Sequence, residues 1–170
     1  MTLPLALLPF QGVDETTVTR LADQLADKGF ACSVRPAMAL PADAYNRLRE
    51  QYRAEHLLET TRQAVAGRVL GVTDQDLYAE GLNFVFGMAE RPGRAAVITL
   101  ARLASADAAR FQARVLKEAV HELGHTLGLA HCPQSTCVMH FSNTLADTDR
   151  KGADFCAACR ARLAALSTGF

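Results

Sequence analysis

A short segment in the C-terminal third of the chain concentrates side chains that bind metal ions. His121 and His125 lie four residues apart, Glu122 follows the first histidine, and Gly128 and His131 complete the pattern H-E-x-x-H-x-x-G-x-x-H. Histidines with this spacing lie one turn apart on the same face of an α-helix, so both imidazole rings can reach a single ion. Glu122 lies beside them, where its carboxylate can reach a water molecule on the metal without binding the metal itself.

Zinc in a catalytic site takes three protein ligands and keeps a fourth position for water. The third ligand has to approach from outside the helix, and the helix can end at Gly128, because glycine adopts a left-handed conformation without steric cost. The spacing therefore predicts a catalytic zinc held by His121, His125 and His131, which lowers the pKa of water and polarises a carbonyl group. Glu122 is predicted to be the general base that takes the proton of that water and passes it to a leaving amine.

Four of the five cysteines form two closely spaced pairs, C-x4-C and C-x2-C, in the order Cys132, Cys137, Cys156 and Cys159. Two such pairs separated by a loop are typical of a structural zinc site with four thiolates. Disulfide bonds or free thiols are the alternatives, and His140 is a candidate to replace one thiolate, because the first pair is wider than in a zinc ribbon. His131 and Cys132 point in opposite directions in an extended backbone, so one dipeptide can serve two ions.

The composition restricts the classes of function. The chain has 170 residues, enough for one domain with a proper core, and its 18 basic residues balance 18 acidic ones. A neutral chain without a run of Lys or Arg lacks the electrostatic footprint of a nucleic-acid-binding protein, which argues against a nucleic-acid-binding zinc ribbon. No apolar run reaches the length of a membrane span. The apolar N-terminus has no basic region, so we expect a first strand there instead of a signal peptide, and a cytoplasmic protein whose clustered cysteines bind metal.

The spacing of apolar residues predicts an α/β fold with a mixed sheet. Strands are expected at residues 3–8, 30–34, 67–72, 82–87 and 95–100, and helices at 14–28, at 42–64, from Asp107 through the histidine motif, and at 153–167. Cys32 is predicted to be a buried apolar residue of the second strand. We expect a single domain over residues 1–170, with a sheet-and-helix half to residue 128 and a small C-terminal half, residues 129–170, stabilised by the cysteine zinc.

Taken together, these residues resemble the archaemetzincins, a branch of the metzincin metalloproteases. The histidine motif continues directly into C-x4-C-x-M, and C-x2-C follows after a spacer. The resemblance covers most of the chain and includes REQY at residues 49–52, LGVTDQDLY at 70–78, LNFVFG at 82–87 and CVMHFSNTL at 137–145.

The resemblance implies a compact metzincin-like domain, in which a mixed twisted sheet, an active-site helix and a backing helix border an open cleft above a small C-terminal subdomain. It implies two Zn²⁺ per chain, one catalytic on the three histidines and one structural on the four cysteines, with Glu122 as general base and acid. Met139 corresponds to the methionine of the Met-turn, packed beneath the catalytic site. Leu82–Gly87 is expected to be the edge strand against which an extended peptide pairs.

The leading hypothesis is a zinc metallopeptidase that acts on peptides or unfolded polypeptides as a monomer, without nucleic-acid or membrane partners. No tyrosine follows Tyr78, so the tyrosine that some metzincins use near the Met-turn, as a ligand or an oxyanion donor, is not available. That absence motivates an alternative hypothesis, a zinc-dependent peptide-binding or regulatory module with little or no turnover.

Overall fold

The computed structural model describes residues 2–167, so residue 1 and residues 168–170 of the predicted domain lie outside the described range. In chain order the elements are β1 (Leu3–Pro9), α1 (Glu15–Ala26), β2 (Phe30–Val34), a 3-10 turn (Ala42–Ala44), β3 (Tyr45–Asn46), β4 (Gln51–Arg53), α2 (Ala54–Ala64), β5 (Val69–Thr73), β6 (Leu77–Tyr78), β7 (Gly87–Ala89), β8 (Ala95–Thr99), α3 (Ala108–Thr126), α4 (Leu145–Arg150) and α5 (Ala157–Ser167).

Five strands form the main sheet in the order β2-β1-β5-β8-β7. Its first four strands run parallel, and β7 pairs antiparallel with β8 at one edge. Every residue of β5 and β8 is buried, which explains why these segments consist almost entirely of apolar residues: a strand covered on both faces needs no alternation with polar side chains. The predicted α/β fold with a mixed sheet is confirmed.

Helices cover both faces of this sheet. Leu5 and Ile98 face α1 and α3, whereas Ala6 and Val97 face α2 on the opposite side. This division follows from the two-residue period of a strand, in which neighbouring side chains point to opposite faces. The helix α3 packs against β8 and β7, and the histidine motif therefore lies next to the edge strand.

The single helix predicted over residues 42–64 is wrong in its first half. The 3-10 turn leads into the β3–β4 hairpin, and α2 begins only at Ala54. In the hairpin, the Asn46 side chain accepts hydrogen bonds from two backbone N–H groups of the following turn, and Glu50 adopts a positive φ of 54°. A turn closed by an Asn side chain competes with a helix for the same backbone donors, and the pattern of apolar residues does not reveal it.

The strand predicted at residues 82–87 is also displaced. The edge strand β7 begins at Gly87, and residues 82–86, termed the rim segment below, are irregular. The carbonyl oxygens of Leu82 and Asn83 accept hydrogen bonds from side chains. Their partners come from the β3–β4 hairpin, more than 30 residues away in sequence, so no local pattern could have indicated them.

The C-terminal half contains one helix that the sequence analysis missed. Thr144 and Asp147 form a capping box at the start of α4, in which each side chain binds the backbone of the other residue. The spacing T-x-x-D is a known start signal for a helix, so this element could have been predicted. The last helix, α5, begins at Ala157 instead of residue 153. Among residues 2–167, none of the helices combines the length and apolar character that crossing a bilayer requires.

Candidate active site

The helix α3 carries the first part of the histidine motif and ends where the glycine predicts. Asp107 caps its N-terminus by accepting hydrogen bonds from two backbone N–H groups. At the C-terminus Gly128 has a φ of +100°; its N–H donates to the His125 carbonyl at 2.8 Å, and the Leu129 N–H donates to the Gly124 carbonyl at 3.0 Å. This pair of bonds is the Schellman arrangement that ends a helix at glycine, and it turns the chain back toward the histidines.

The three histidines of the motif form one cluster. Their ligand nitrogens all lie within 4.8 Å of one another, and the Nε2 atoms of His121 and His125 are 3.1 Å apart. The Nδ1 atom of His121 is 2.8 Å from the Val138 carbonyl oxygen, and that of His125 is 2.8 Å from the Leu129 carbonyl oxygen. A carbonyl accepts only, so both Nδ1 atoms carry the proton and both Nε2 atoms present a lone pair.

Two lone pairs facing each other at this distance repel unless a cation lies between them. Tetrahedral zinc with a Zn–N distance of about 2.05 Å separates two ligand nitrogens by about 3.3 Å, close to the separation of the His121 and His125 Nε2 atoms. Burial lowers the pKa of His121 well below its usual value, and burial also lowers the pKa of His125 and His131. All three rings are therefore uncharged at neutral pH, and each can offer a nitrogen lone pair to a metal. The cluster fits a zinc ion.

Glu122 lies beside this cluster at the wall of a cavity of about 250 Å³. The residue is only 6% exposed. Burial raises the pKa of its carboxyl group well above the usual range, the negative charge of Glu118 raises it further, and the positive charge of Lys151 opposes the change. A carboxylate with a raised pKa is a stronger base, which is the property that proton abstraction from water requires.

Met139 packs directly under the histidine helix. A Cβ added at Gly124, between the two helical histidines, would overlap the Sδ atom of Met139 and lie 3.0 Å from the Phe155 ring. Met139 is fully buried, and it lies in the core with Val120 and Leu123 of α3. The absence of a side chain at position 124 therefore permits the methionine to reach the backbone beneath the cluster.

The four paired cysteines form a second cluster. Cys132 Sγ lies 3.8 Å from Cys156 Sγ, and Cys137 Sγ lies 3.8 Å from Cys159 Sγ, whereas tetrahedral zinc with Zn–S of about 2.3 Å gives a sulfur separation of about 3.8 Å. All five cysteines of the chain are free thiols. His140, the candidate replacement ligand, instead directs its Nδ1 atom to the Cys132 carbonyl oxygen at 2.9 Å.

Burial and hydrogen bonds shift the pKa values of the clustered thiols in different directions. The backbone N–H of Cys159 lowers the pKa of Cys156 to about 7, whereas burial raises the pKa of Cys132 and of Cys159. Four thiols at this spacing cannot all lose their protons unless a positive charge lies between them. The residues present fit a structural zinc, and the spacing of the sulfurs is that of a metal site and not of disulfide bonds.

Comparison with known proteins identifies the family. Residues 37–165 match the sequence profile of peptidase family M54. The chain belongs to this family.

The curated archaemetzincins of this family are close relatives of the chain. The archaemetzincin of Methanopyrus kandleri is 53% identical over 122 residues, which are 71% of this chain and 70% of that protein. The archaemetzincin of Archaeoglobus fulgidus is 44% identical over 153 residues, 89% of this chain and 93% of that protein. The crystal structure of the M. kandleri archaemetzincin matches with a TM-score of 0.89 and 42% identity, covering 98% of this chain and 96% of that one. The resemblance inferred from the sequence is confirmed, and the family is one of zinc metallopeptidases.

In this archaemetzincin-family chain, two hydrogen bonds join Cys132, the residue that follows His131, to Met139 and His140. The Cys132 N–H donates to the Met139 carbonyl oxygen at 2.9 Å, and the Cys132 carbonyl accepts from His140 Nδ1. The segment that carries His131 is thus bound through both backbone groups of Cys132 to the turn that carries Met139. Because Cys132 belongs to the cysteine cluster, the two clusters are adjacent along the backbone.

Sequence reasoning missed an ion pair beside the cavity. Lys151 has a fully buried side chain, and its Nζ atom lies 3.4 Å from Glu118 Oε1 and 3.3 Å from the His140 carbonyl oxygen. Glu118 precedes Glu122 by one helical turn, a spacing that could have marked it as a neighbour of the site. Lys151 carries no such local signal, because only the fold brings α4 against α3.

The edge strand approaches Glu122 so closely that only glycine fits at its first position. A Cβ at Gly87 would lie 2.8 Å from both Cγ and Oε1 of Glu122 and 2.8 Å from the Val97 carbonyl oxygen. We expect Gly87→Ala to displace the carboxylate and to lower kcat/KM for peptide cleavage by about 100-fold, the cost of misplacing a catalytic group by about 1 Å.

Gly67→Ala is the matched control for this substitution. A Cβ at Gly67 would meet no heavy atom within 4 Å, so this variant should cleave peptides at the wild-type rate. Equal activity of the two variants, measured with the same fluorogenic peptide, would show that the contact between β7 and Glu122 has no bearing on turnover.

Proposed function

We propose that the chain hydrolyses peptide bonds with a catalytic zinc held by His121, His125 and His131 and with Glu122 as the general base. The observation that carries the proposal is the facing pair of Nε2 lone pairs on His121 and His125, with Glu122 at the wall of the adjoining cavity. A structural zinc held by the four paired cysteines completes the proposed content of two Zn²⁺ per chain; its ligands are Cys132, Cys137, Cys156 and Cys159.

The protein groups divide the chemistry between them. When bound, a catalytic zinc supplies a Lewis acid that lowers the pKa of water and polarises the scissile carbonyl. Glu122 takes the proton of the attacking water, and its buried environment makes the carboxylate basic enough to hold that proton. Glu122 then passes the proton to the nitrogen of the leaving amine. The carbonyl groups of Val138 and Leu129 hold the rings of His121 and His125 in the required tautomer and orientation.

The proposed substrate is an extended peptide or an unfolded polypeptide, bound by a monomer without nucleic-acid or membrane partners. The main sheet ends at β7, and an extended chain can add to such an edge through main-chain hydrogen bonds. The pairing strand is thus Gly87–Ala89 and not Leu82–Gly87 as expected from the sequence. Met139 takes the role of the Met-turn residue, and it supports the histidines through Gly124.

Metal removal is the direct test of this function. We expect dipicolinic acid, a zinc chelator, to abolish cleavage of a mixed peptide library by the purified protein. Cleavage should return when one equivalent of Zn²⁺ is added in addition to the structural zinc ion. Cleavage should be followed by mass spectrometry of the products, because the library then needs no assumption about the preferred sequence. The result expected is loss of all product peaks in the chelated sample and their return with zinc.

Two outcomes would contradict the proposal. Cleavage that persists after zinc removal would assign it to a contaminant or to a mechanism without the histidine cluster. If the protein binds peptides tightly in a zinc-dependent way but cleaves none of the library, it is a peptide-binding module. The lack of a tyrosine after Tyr78 favours this alternative.

A further inference from the structure

The cavity beside Glu122 has one wall that the strands of the sheet do not build. The rim segment, residues 82–86, lines one side, while α3 lines another with Glu122 and His121. Phe141, half exposed, also lines the cavity. The rim segment has the aromatic and β-branched composition of a strand, yet apart from an isolated bridge between Val85 and Leu77 it pairs with no strand. Some contact must hold it in this conformation.

Gln51 supplies that contact from the β3–β4 hairpin. Its Nε2 atom donates to the Asn83 carbonyl oxygen at 2.9 Å and to Asp76 Oδ2 at 2.9 Å, and its Oε1 atom accepts from Arg49 Nε at 3.1 Å. Both partners of the nitrogen are acceptors, which fixes the orientation of the amide. Gln51 is 6% exposed, so these bonds are shielded from competition by water.

Two arginines complete the network around the rim segment. Arg49 Nη2 donates to the Leu82 carbonyl oxygen at 2.8 Å. Arg102 binds both carboxylate oxygens of Asp76 at 2.8 Å, and its guanidinium group lies 4.1 Å from the centre of the Phe84 ring. The rim segment is therefore bound through the Leu82 and Asn83 carbonyls at one end and through the Phe84 ring in its middle. At the other end, the Val85 N–H donates to the Leu77 carbonyl oxygen and the Phe86 carbonyl accepts from the Thr99 N–H. The first two carbonyl groups of the rim segment are not free to pair with another strand.

The lining of the cavity indicates which side chain it accepts. The rim segment and Phe141 contribute most of the apolar lining, and Asn83, Ser142 and Asn143 add uncharged polar groups. Two charged residues of the lining, Glu118 and Lys151, form an ion pair with each other, so they offer no free partner to a charged group. The cavity is thus suited to a large uncharged side chain with an apolar body.

We propose that Gln51, assisted by Arg49 and Arg102, is a positioning residue that holds the rim segment in place and so keeps open a subsite for one large apolar substrate side chain beside Glu122. The identity of the ligand rests on the proposed peptidase function; the positioning of the rim segment does not. The network also accounts for the segment REQY, whose arginine and glutamine have no part in the metal sites.

Gln51→Glu tests the proposal with little change of shape. The variant keeps the acceptor for Arg49 but replaces both donors by a carboxylate oxygen that faces the Asn83 carbonyl and the Asp76 carboxylate. We expect backbone amides of the rim segment to exchange hydrogen about tenfold faster, while amides of α3 and β5 keep the wild-type rate. For peptides that carry Phe next to the scissile bond, the substitution should raise KM about five- to tenfold more than it does for matching peptides with Ala in that place. The kcat should change little.

Arg49→Ala and Arg47→Ala complete the experiment. Arg49 is exposed, so its loss leaves the fold intact and should shift the same two measurements in the same direction, by about two- to threefold. Arg47 lies two residues away in the same hairpin, and in the part of the chain that the structure describes it donates to no carbonyl of the rim segment, so Arg47→Ala should match the wild type.

Several results would overturn the proposal. Unchanged exchange of the rim segment in Gln51→Glu, equal effects in Arg47→Ala and Arg49→Ala, or faster exchange throughout the chain would each exclude a positioning role for Gln51. An equal loss for Phe and Ala peptides would exclude the subsite. If no variant and no wild-type sample cleaves any peptide, the peptidase function fails, and the exchange measurement still decides whether the network holds the rim segment.

Discussion

Glu122→Gln is expected to lower peptide hydrolysis by about 100- to 10,000-fold, the contribution of a general base, while both zinc ions stay bound. The amide has nearly the shape of the carboxylate and fits the same buried place, but it cannot accept a proton from water. The histidine rings are held by the Val138 and Leu129 carbonyls, so the metal cluster has no need of Glu122. Activity should be measured as kcat/KM on a fluorogenic peptide, and zinc content by atomic spectroscopy on the same sample.

His131→Ala is the converse variant for this experiment. It removes the ligand that lies outside α3 and should therefore lose the catalytic zinc and the activity together. The two variants separate a defect in chemistry from a defect in metal binding. Cleavage by Glu122→Gln at the wild-type rate would reject the role of this residue, and loss of zinc from Glu122→Gln would mean that it supports the cluster instead of the reaction.

The parts of the site that could be predicted are those whose geometry is local. The four-residue spacing of His121 and His125 fixes their positions on one helix face, and Gly128 marks the end of that helix, so the sequence predicts how these parts lie relative to each other. The cysteine pairs required one further assumption, that two closely spaced pairs share a centre, and the structure brings all four together.

The parts that could not be predicted depend on contacts distant in sequence. The rim segment has the composition of a strand, but Gln51 and Arg49 bind its carbonyl groups from a hairpin that itself forms around the Asn46 side chain. The pairing of Lys151 with Glu118 likewise requires α4 to pack on α3. In the first case polar side chains override a local preference for a strand, and in neither case do the polar side chains carry a periodic signal.

These polar contacts and the metal clusters both hold the C-terminal half of the chain in position. The C-terminal half has few regular elements, and polar side chains bind parts of it to α3. Lys151 binds the carbonyl group of His140, one residue beyond Met139, and the backbone of Cys132 binds the Met139 carbonyl and the His140 ring. His131 directly precedes Cys132, which belongs to the structural cluster, so the two metal sites are expected to be coupled.

Cys156→Ser tests this coupling from the far side of the cysteine cluster. Cys156 lies 25 residues beyond His131 in sequence, and its Sγ atom is 3.8 Å from Cys132 Sγ, so its loss can reach the catalytic zinc through the cysteine cluster and the backbone of Cys132. We expect the variant to bind one zinc per chain in place of two at saturating metal, and to hold the remaining ion about 10- to 100-fold more weakly, the usual cost of losing the groups that orient a ligand. Its thermal unfolding temperature should also fall, because the binding energy of a structural zinc contributes to folding.

Cys32→Ser provides the matched control, since Cys32 lies in β2 outside both clusters and its loss should change neither zinc number nor zinc affinity. Zinc affinity is best measured by competition with a chromogenic chelator, which reports each ion separately if the two differ in affinity. A Cys156→Ser protein that loses one ion but holds the other with wild-type affinity would show that the sites are neighbours without coupling. If the affinity falls as expected, a change at any of the four cysteines would reach the reaction through the backbone of His131 and Cys132, and the structural zinc would be a requirement of catalysis as well as of folding.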